Sequence, residues 1–237
     1  MNEHQLSKRL AEVAALVPAG SRLADIGTDH AYLPVHLLIQ GKICTAVAGE
    51  VNEGPYQSAM SQVEKLGLHS VVEVRKGNGL EVVEDGEVDV IAIAGMGGAL
   101  ICQILNEGKE KLKKVKRLIL QPNMAEHMIR EWLIENEWEL KVERIIEEDQ
   151  KIYEILMAEP GDPNLPYEGL SPFEKKQAIL MGPFLLKEKS EVFVQKWKSE
   201  IKKKLRILDS LQNAEDKGTR EEEIKEEIKL MEEGIIG

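Results

Sequence analysis

The residues with chemical potential fall in five short blocks, each following an apolar run that reads as a β-strand. The first is Asp25-Ile26-Gly27-Thr28-Asp29-His30-Ala31-Tyr32. A glycine after a buried strand lets a ligand approach the backbone, and the helix that follows offers unpaired amides and a positive dipole end. A dinucleotide loop would read G-x-G-x-x-G; here the second glycine position is Asp29, which repels phosphate, so a cationic ligand suits the loop better. The second block ends in Glu50, where a carboxylate can accept both hydroxyls of a ribose. The third, Gly77-Asn78-Gly79-Leu80, permits a tight turn and carries an amide able to read an adenine edge. The fourth, Ala94-Gly95-Met96-Gly97-Gly98, is a side-chain-poor loop that opens a helix, and the fifth is Gln121-Pro122-Asn123. Ligands of open parallel sheets bind beyond the carboxyl ends of the strands, so all five blocks belong to one rim.

The elements that must position this rim can be read from hydrophobic spacing. Leu6, Leu10, Val13 and Val17 form one face of a helix closed by Pro18 and Gly20. Strands are expected over 22–26, 43–48, 71–75, 88–94 and 117–121, with helices over 31–40, 55–66, 98–106 and 124–135. Alternation of this kind, with continuous apolar strands, predicts an α/β fold whose parallel sheet is covered on both faces. Two last strands, 138–146 and 152–158, have no helix between them and predict a terminal antiparallel hairpin. Residues 159–171 hold three prolines and two glycines and read as a linker. Ser171-Pro172-Phe173-Glu174 then reads as a capping box, and Gly182-Pro183 interrupts the helix it opens. Beyond, Val194, Trp197, Ile201, Leu205, Leu208 and Leu211 form one stripe, and Ile224, Ile228 and Met231 form another after a second capping box, Thr219 to Glu222. The spacing predicts a coiled-coil-like hairpin of two long helices joined near 216–218. The expected division is a Rossmann-like domain over 1–161 and a helical hairpin over 162–237.

Composition bounds the partners. With 237 residues, 43% hydrophobic and 31% charged, the chain is globular and neither disordered nor collagen-like. The net charge of −11 divides into −9 over residues 1–160 and −2 over 161–237, so the global balance does not favour nucleic acid. Cys44 and Cys102 stand in apolar segments without metal-ligand spacing and read as buried reduced thiols; no metal site is expected. The N-terminus lacks the apolar stretch of a secretion signal, and no apolar run is long enough to span a membrane, so a cytoplasmic protein is expected.

DIGTDHAYLP, GEVN, GNGL, AGMGG and QPN, in this order and spacing, resemble the bacterial tRNA adenine-22 N1-methyltransferase family, and the resemblance extends over nearly the whole chain, helical hairpin included. It implies a seven-stranded class I methyltransferase sheet, S-adenosyl-L-methionine (SAM) as cofactor and tRNA as partner. The wider class opens with acid-x-Gly-x-Gly-x-Gly; Asp25 and Gly27 match it, while Asp29 and Ala31 replace the later glycines. The Asn/Asp-Pro-Pro-aromatic signature of amino-group methyltransferases is replaced by AGMGG, which argues against exocyclic-amine chemistry.

With SAM as the cofactor that the resemblance implies, its candidate contacts are Asp25, Gly27, Thr28, Glu50, Asn78, Gly95 and Met96. Adenine N1 has an in-plane lone pair free at neutral pH, so transfer needs alignment and desolvation but no base. Asp29 is then the candidate to stabilise the positive charge left on the ring, with SAM binding or helix capping as its alternatives. Tyr32 is the candidate to stack on an extruded base, packing being the alternative. Gln121 and Asn123 are placed against the substrate. Positive charge gathers at Lys109 to Arg117, on the side away from the rim, and at Lys196, Lys198, Lys202, Lys203, Lys204 and Arg206 of the first long C-terminal helix. Lys202, Lys203 and Lys204 are the candidate tRNA contacts, although a solvated face pairing with the acidic second helix would look the same. Two other readings stay open: a small-molecule SAM methyltransferase whose hairpin dimerises, and an inert SAM- or RNA-binding adaptor. The oligomeric state, monomer or weak dimer, is likewise open.

Overall fold

The computed structural model describes residues 5–211 and 218–236. Seven strands form one sheet in the order β3-β2-β1-β4-β5-β7-β6. Five are parallel: β1 (Ser21–Ile26), β2 (Ile43–Glu50), β3 (Val72–Lys76), β4 (Val90–Met96) and β5 (Arg117–Pro122). The expected hairpin is β6 (Trp138–Glu148) and β7 (Lys151–Pro160), with β7 inserted antiparallel beside β5 and β6 at the edge.

Both faces of the central strands are apolar because helices cover both. Leu23 of β1, Val90 and Ala92 of β4 and Ile119 of β5 pack toward α1 (Lys8–Leu16), α2 (Tyr32–Ile39) and α3 (Glu53–Lys65). Their sequence neighbours Ala24, Ile91, Ile93, Leu118 and Leu120 pack toward α4 (Gly98–Glu107) and α5 (Glu126–Glu135). Strand side chains alternate faces, so two covered faces turn the usual polar alternation into a continuous apolar run.

After β7 the chain is packed. Pro160 still belongs to β7, and Pro166 and Tyr167 are buried in a 3-10 turn, so the expected linker is a seated segment. The Ser171 box forms as expected: Glu174 N donates to Ser171 Oγ (3.3 Å) and Ser171 N to Glu174 Oε2 (2.8 Å), opening α6 (Pro172–Met181). Gly182 separates α6 from α7 (Pro183–Glu188). A further break, at left-handed Lys189 (φ 47°), precedes α8 (Glu191–Leu211). Helix α9 (Gly218–Ile236) returns along α8, and Phe193, Trp197, Ile201, Ile224, Ile228 and Met231 form a core of their own with Ile145 of β6 against it. The expected joint near 216–218 and the box at Thr219 fall on positions outside the described residues or side chains.

Charged groups fasten these helices to the sheet. Fully buried Arg130 of α5 donates Nε to Glu143 Oε1 of β6 (2.6 Å), Nη2 to Glu154 of β7, and Nη1 to the carbonyls of Ile179 and Leu180 of α6 (both 3.2 Å). Lys196 of α8 reaches Glu154 Oε1 (2.6 Å) and Glu126 Oε1 (2.7 Å). Burial alone would lower the Lys196 pKa, but these carboxylates hold it above the usual lysine value.

One thiol departs from expectation. Cys102 is buried and its pKa is pushed up to about 11 by desolvation, whereas Cys44, the second residue of β2, is exposed. Among the described residues no helix is long and apolar enough to cross a membrane, and no His, Cys, Asp and Glu cluster is arranged to hold a metal.

Candidate active site

The five blocks meet at the carboxyl ends of the parallel strands. Asp25 is buried in β1 and accepts a 2.6 Å hydrogen bond from Thr28 Oγ1. Desolvation pushes its pKa up to about 6; the Thr28 bond opposes this and the charge of Glu50 adds to it. Gly27 lies at φ +75°, and its amide and that of Thr28 both donate to Gly49 O (2.9 and 3.0 Å), which clips the first loop to the end of β2. A Cβ on Gly27 would fall 2.0 Å from Met96 Cε, so the Met96 side chain crosses where a larger residue would project. His30 (φ 56°) and buried Ala31 (φ 51°) are both left-handed without being glycine. Ala31 thus holds a backbone conformation that glycine adopts without strain, at a cost of about 1 kcal/mol or more.

That shape turns Asp29 outward. Its carboxylate is exposed, with His30 Nε2 3.4 Å away, and the His30 ring stacks on half-buried Tyr32 at 5.1 Å. His30 was not singled out from the sequence, although it sits inside the most specific block. At the end of β2, buried Glu50 uses Oε1 to accept from Asn52 N (2.7 Å) and Asn52 Nδ2 (2.9 Å), while Oε2 takes no hydrogen bond from the described residues. Gly77 N donates to Glu50 O (3.1 Å), and Asn78 follows with its side chain exposed.

Beyond β4 the expectation needs correcting. Gln121 is completely buried and therefore does not line the substrate surface. Its Oε1 accepts from Gly95 N (3.0 Å) and from Arg9 Nη1, and its Nε2 donates to Pro122 O (2.6 Å). Gln121 is a positioning residue for the Gly95 loop. Asn123 is exposed, but its Nδ2 donates to Gly95 O (2.6 Å) and its amide to Met96 O (2.7 Å), so it braces the same loop from the other side. Arg9, carried to this rim by α1, was not singled out from the sequence either.

The C-terminal lysines are not equivalent. Lys202 is exposed, Lys203 pairs with Glu200 (2.6 Å) and Lys204 pairs with Glu227 of α9. Lys196, expected on the same basic face, is instead consumed by Glu126 and Glu154. Of the second cluster, Lys113 pairs with Glu110, and Lys114 and Lys116 lie near Asp85 and Asp89 (3.7 and 3.5 Å).

A glycine-lined loop, two buried acids and an exposed third on one rim resemble a site for a cationic nucleoside, and comparison with known proteins decides which. The family model for TrmK, tRNA (adenine(22)-N(1))-methyltransferase, matches residues 23–233. The chain belongs to the tRNA (adenine(22)-N(1))-methyltransferase family. The tRNA (adenine(22)-N(1))-methyltransferase of Bacillus subtilis strain 168 is 49% identical over 98% of this chain and 96% of that protein. The crystal structure of the B. subtilis m1A22 tRNA methyltransferase TrmK superposes with a TM-score of 0.92, at 47% identity over 98% of this chain and 99% of the other. Streptococcus pneumoniae Sp1610, solved in complex with S-adenosyl-L-methionine, gives a TM-score of 0.86 at 44% identity, covering 98% and 100%. As a methyltransferase of this family, the chain has the seven-stranded sheet and the C-terminal helices along its full described length.

Proposed function

We infer that the protein transfers the methyl group of SAM to N1 of adenine 22 in tRNA. Family membership carries this reading, and the chemistry of the rim fits the cofactor. Two buried acids to which the described residues supply no cationic side chain suit a ligand bearing ammonium and sulfonium charges. SAM supplies an electrophilic methyl, and the N1 lone pair forms the new bond without prior loss of a proton.

The chain's own residues then bind and orient. Glu50 accepts the ribose hydroxyls through its uncommitted Oε2, and Asn78 addresses the adenine edge of the cofactor. Asp25 and Thr28 fix the Gly27 loop, and Gly95 and Met96 close the far wall, held by Gln121 and Asn123. Asp29, exposed at the mouth, faces the ring whose positive charge appears during transfer. Tyr32, already carrying His30 on one side, offers an aromatic surface for the extruded base. Lys202, Lys203 and Lys204 serve as tRNA contacts on the arm of 162–237, the catalytic unit being 1–161. The place of action is the cytoplasm, where tRNA is modified.

Incubating the protein with labelled SAM and tRNA from a strain lacking the activity, followed by nucleoside analysis, should yield N1-methyladenosine at position 22. Unlabelled tRNA would overturn the assignment. Charge reversal at Lys202, Lys203 and Lys204 should weaken tRNA binding and reduce its salt dependence by roughly one unit of slope per lost phosphate contact. An unchanged slope would remove the arm from the interface.

A further inference from the structure

Arg9 stands apart from the other arginines of the sheet. Among the described residues up to 161, Arg22 pairs with Asp89, Arg75 with Glu73 and Glu87, Arg117 with Glu159, Arg130 with Glu143 and Glu154, and Arg144 with Glu12. Arg9 pairs with no carboxylate there. Among these described arginines it is the exception, in a chain of net charge −11. Its surroundings hold it in place even so. The guanidinium lies over the Tyr153 ring, 5.4 Å from its centroid, and Nη1 donates to the amide oxygen of Gln121. A Cβ on Gly95 would lie 3.6 Å from the same nitrogen, which puts the charge against the loop that closes the reacting rim. Helix α1 is anchored there as well: the Lys8 and Arg9 amides donate to Glu148 at the end of β6 (2.5 and 3.4 Å). One guanidinium donor is engaged, and Nε and Nη2 have no acceptor among the described residues.

We propose that Arg9 grips an RNA phosphate beside the target adenosine, with its remaining donors forming the forked pair that guanidinium makes with phosphate. The inference rests on the tRNA methyltransferase reading above. It concerns the acceptor side of the site, because β1 and β4 lie between the β5 end that Arg9 touches and Glu50 and Asn78 at the β2–β3 end. Tyr153 and Gln121 fix the fork before RNA arrives, so little side-chain entropy is lost on binding. A phosphate held at this point sets the distance from the backbone to the methyl donor, which a remote lysine on α8 cannot do.

The test is tRNA binding across a salt series, calorimetric SAM binding and single-turnover methylation, for wild type, Arg9→Gln and Arg9→Lys. Arg9→Gln keeps a donor for Gln121 but loses the charge; tRNA affinity should fall roughly tenfold and the salt slope by roughly one unit, with SAM affinity unchanged. Arg9→Lys should keep the slope and lose part of the affinity. Three results for Arg9→Gln overturn the proposal: an unchanged salt slope; weaker SAM binding, which assigns Arg9 to the donor's carboxylate; or slower transfer at full tRNA affinity, which makes it solely a support for Gln121. If Arg9→Gln does not fold, loss of the slope in Arg9→Lys overturns it instead. A wild type that methylates no tRNA defeats the functional reading itself, whereas an active wild type sharing its slope with Arg9→Gln defeats this inference alone.

Discussion

At the rim of the sheet, Asp25 and Glu50 are both buried, the charge of Glu50 reaches Asp25, and the described residues supply no basic side chain to either. Where the C-terminal helices dock, Glu126, Glu143 and Glu154 are also shielded from water, but Arg130 and Lys196 stand between them. A buried charge is expensive unless it is compensated, so the second group completes itself and the first does not. The same residue type therefore signals architecture in one place and a cationic ligand in the other. What separates them is the missing counter-ion.

The comparison can be broken most forcefully at the docking face. Arg130→Met should strand buried Glu143, leave Glu154 with Lys196 alone, and lower stability by about 3–5 kcal/mol in urea unfolding; a variant of wild-type stability would show that the charges there need no compensation. At the rim the expected effect is on the ligand. Glu50→Ala should weaken SAM by ~1.5–3 kcal/mol, the range for a hydrogen bond to a charged group, with the melting temperature preserved. Unchanged calorimetric affinity would remove Glu50 from the site. Asp29→Asn sharpens the contrast within the rim, because the charge proposed to face it is absent from the bound reactant adenine and develops during transfer: single-turnover methylation should slow about tenfold at unaltered SAM affinity. Reduced SAM affinity with intact transfer would reverse that role.

The smallest effect is a titration. The folded-state pKa of Asp25, about 6, lies above its ordinary 3.8, so the folded protein binds the extra proton between these values. This makes folding less favourable as pH rises through that window, the opposite of a salt-bridged acid. A cationic ligand prefers the ionised form, so SAM affinity should fall about fourfold between pH 7.5 and 5.5, when roughly three-quarters of Asp25 becomes protonated. Asp25→Asn should flatten this dependence and raise thermal stability near neutrality. A wild-type affinity that does not vary over the range would separate Asp25 from the ligand.

Much of this was legible in the residues. All seven strands follow from apolar runs, and Gly27, Glu50, Asn78 and Gly95 lie where strand ends placed them, because a rim in a parallel sheet is fixed by local sequence plus one topological rule. Features requiring distant partners were not legible. Gln121 looked like a contact because its type and position at a strand end do not reveal that Arg9, 112 positions earlier, would cover it. Lys196 was indistinguishable from Lys202 until the fold brought Glu126 and Glu154 against it. Helical spacing marked Leu6, Leu10 and Val13 and assigned Arg9 to nothing. Lys189 breaks a helix without glycine or proline, and Ala31 adopts a glycine's backbone angles, since packing can impose a left-handed residue that propensity disfavours.

The anchoring of α1 has a consequence for how the enzyme is made. Lys8 and Glu148 are 140 positions apart, and Glu12 finds Arg144 across 132. A ribosome builds this helix well before its berth on the β6–β7 hairpin. Through most of synthesis, then, the amphipathic face of α1 has no hairpin to close against, and Arg9 has no place beside Gln121. The reacting rim is assembled late, by a segment that emerged early, and a nascent chain stopped before the hairpin has strands and loops but no finished mouth.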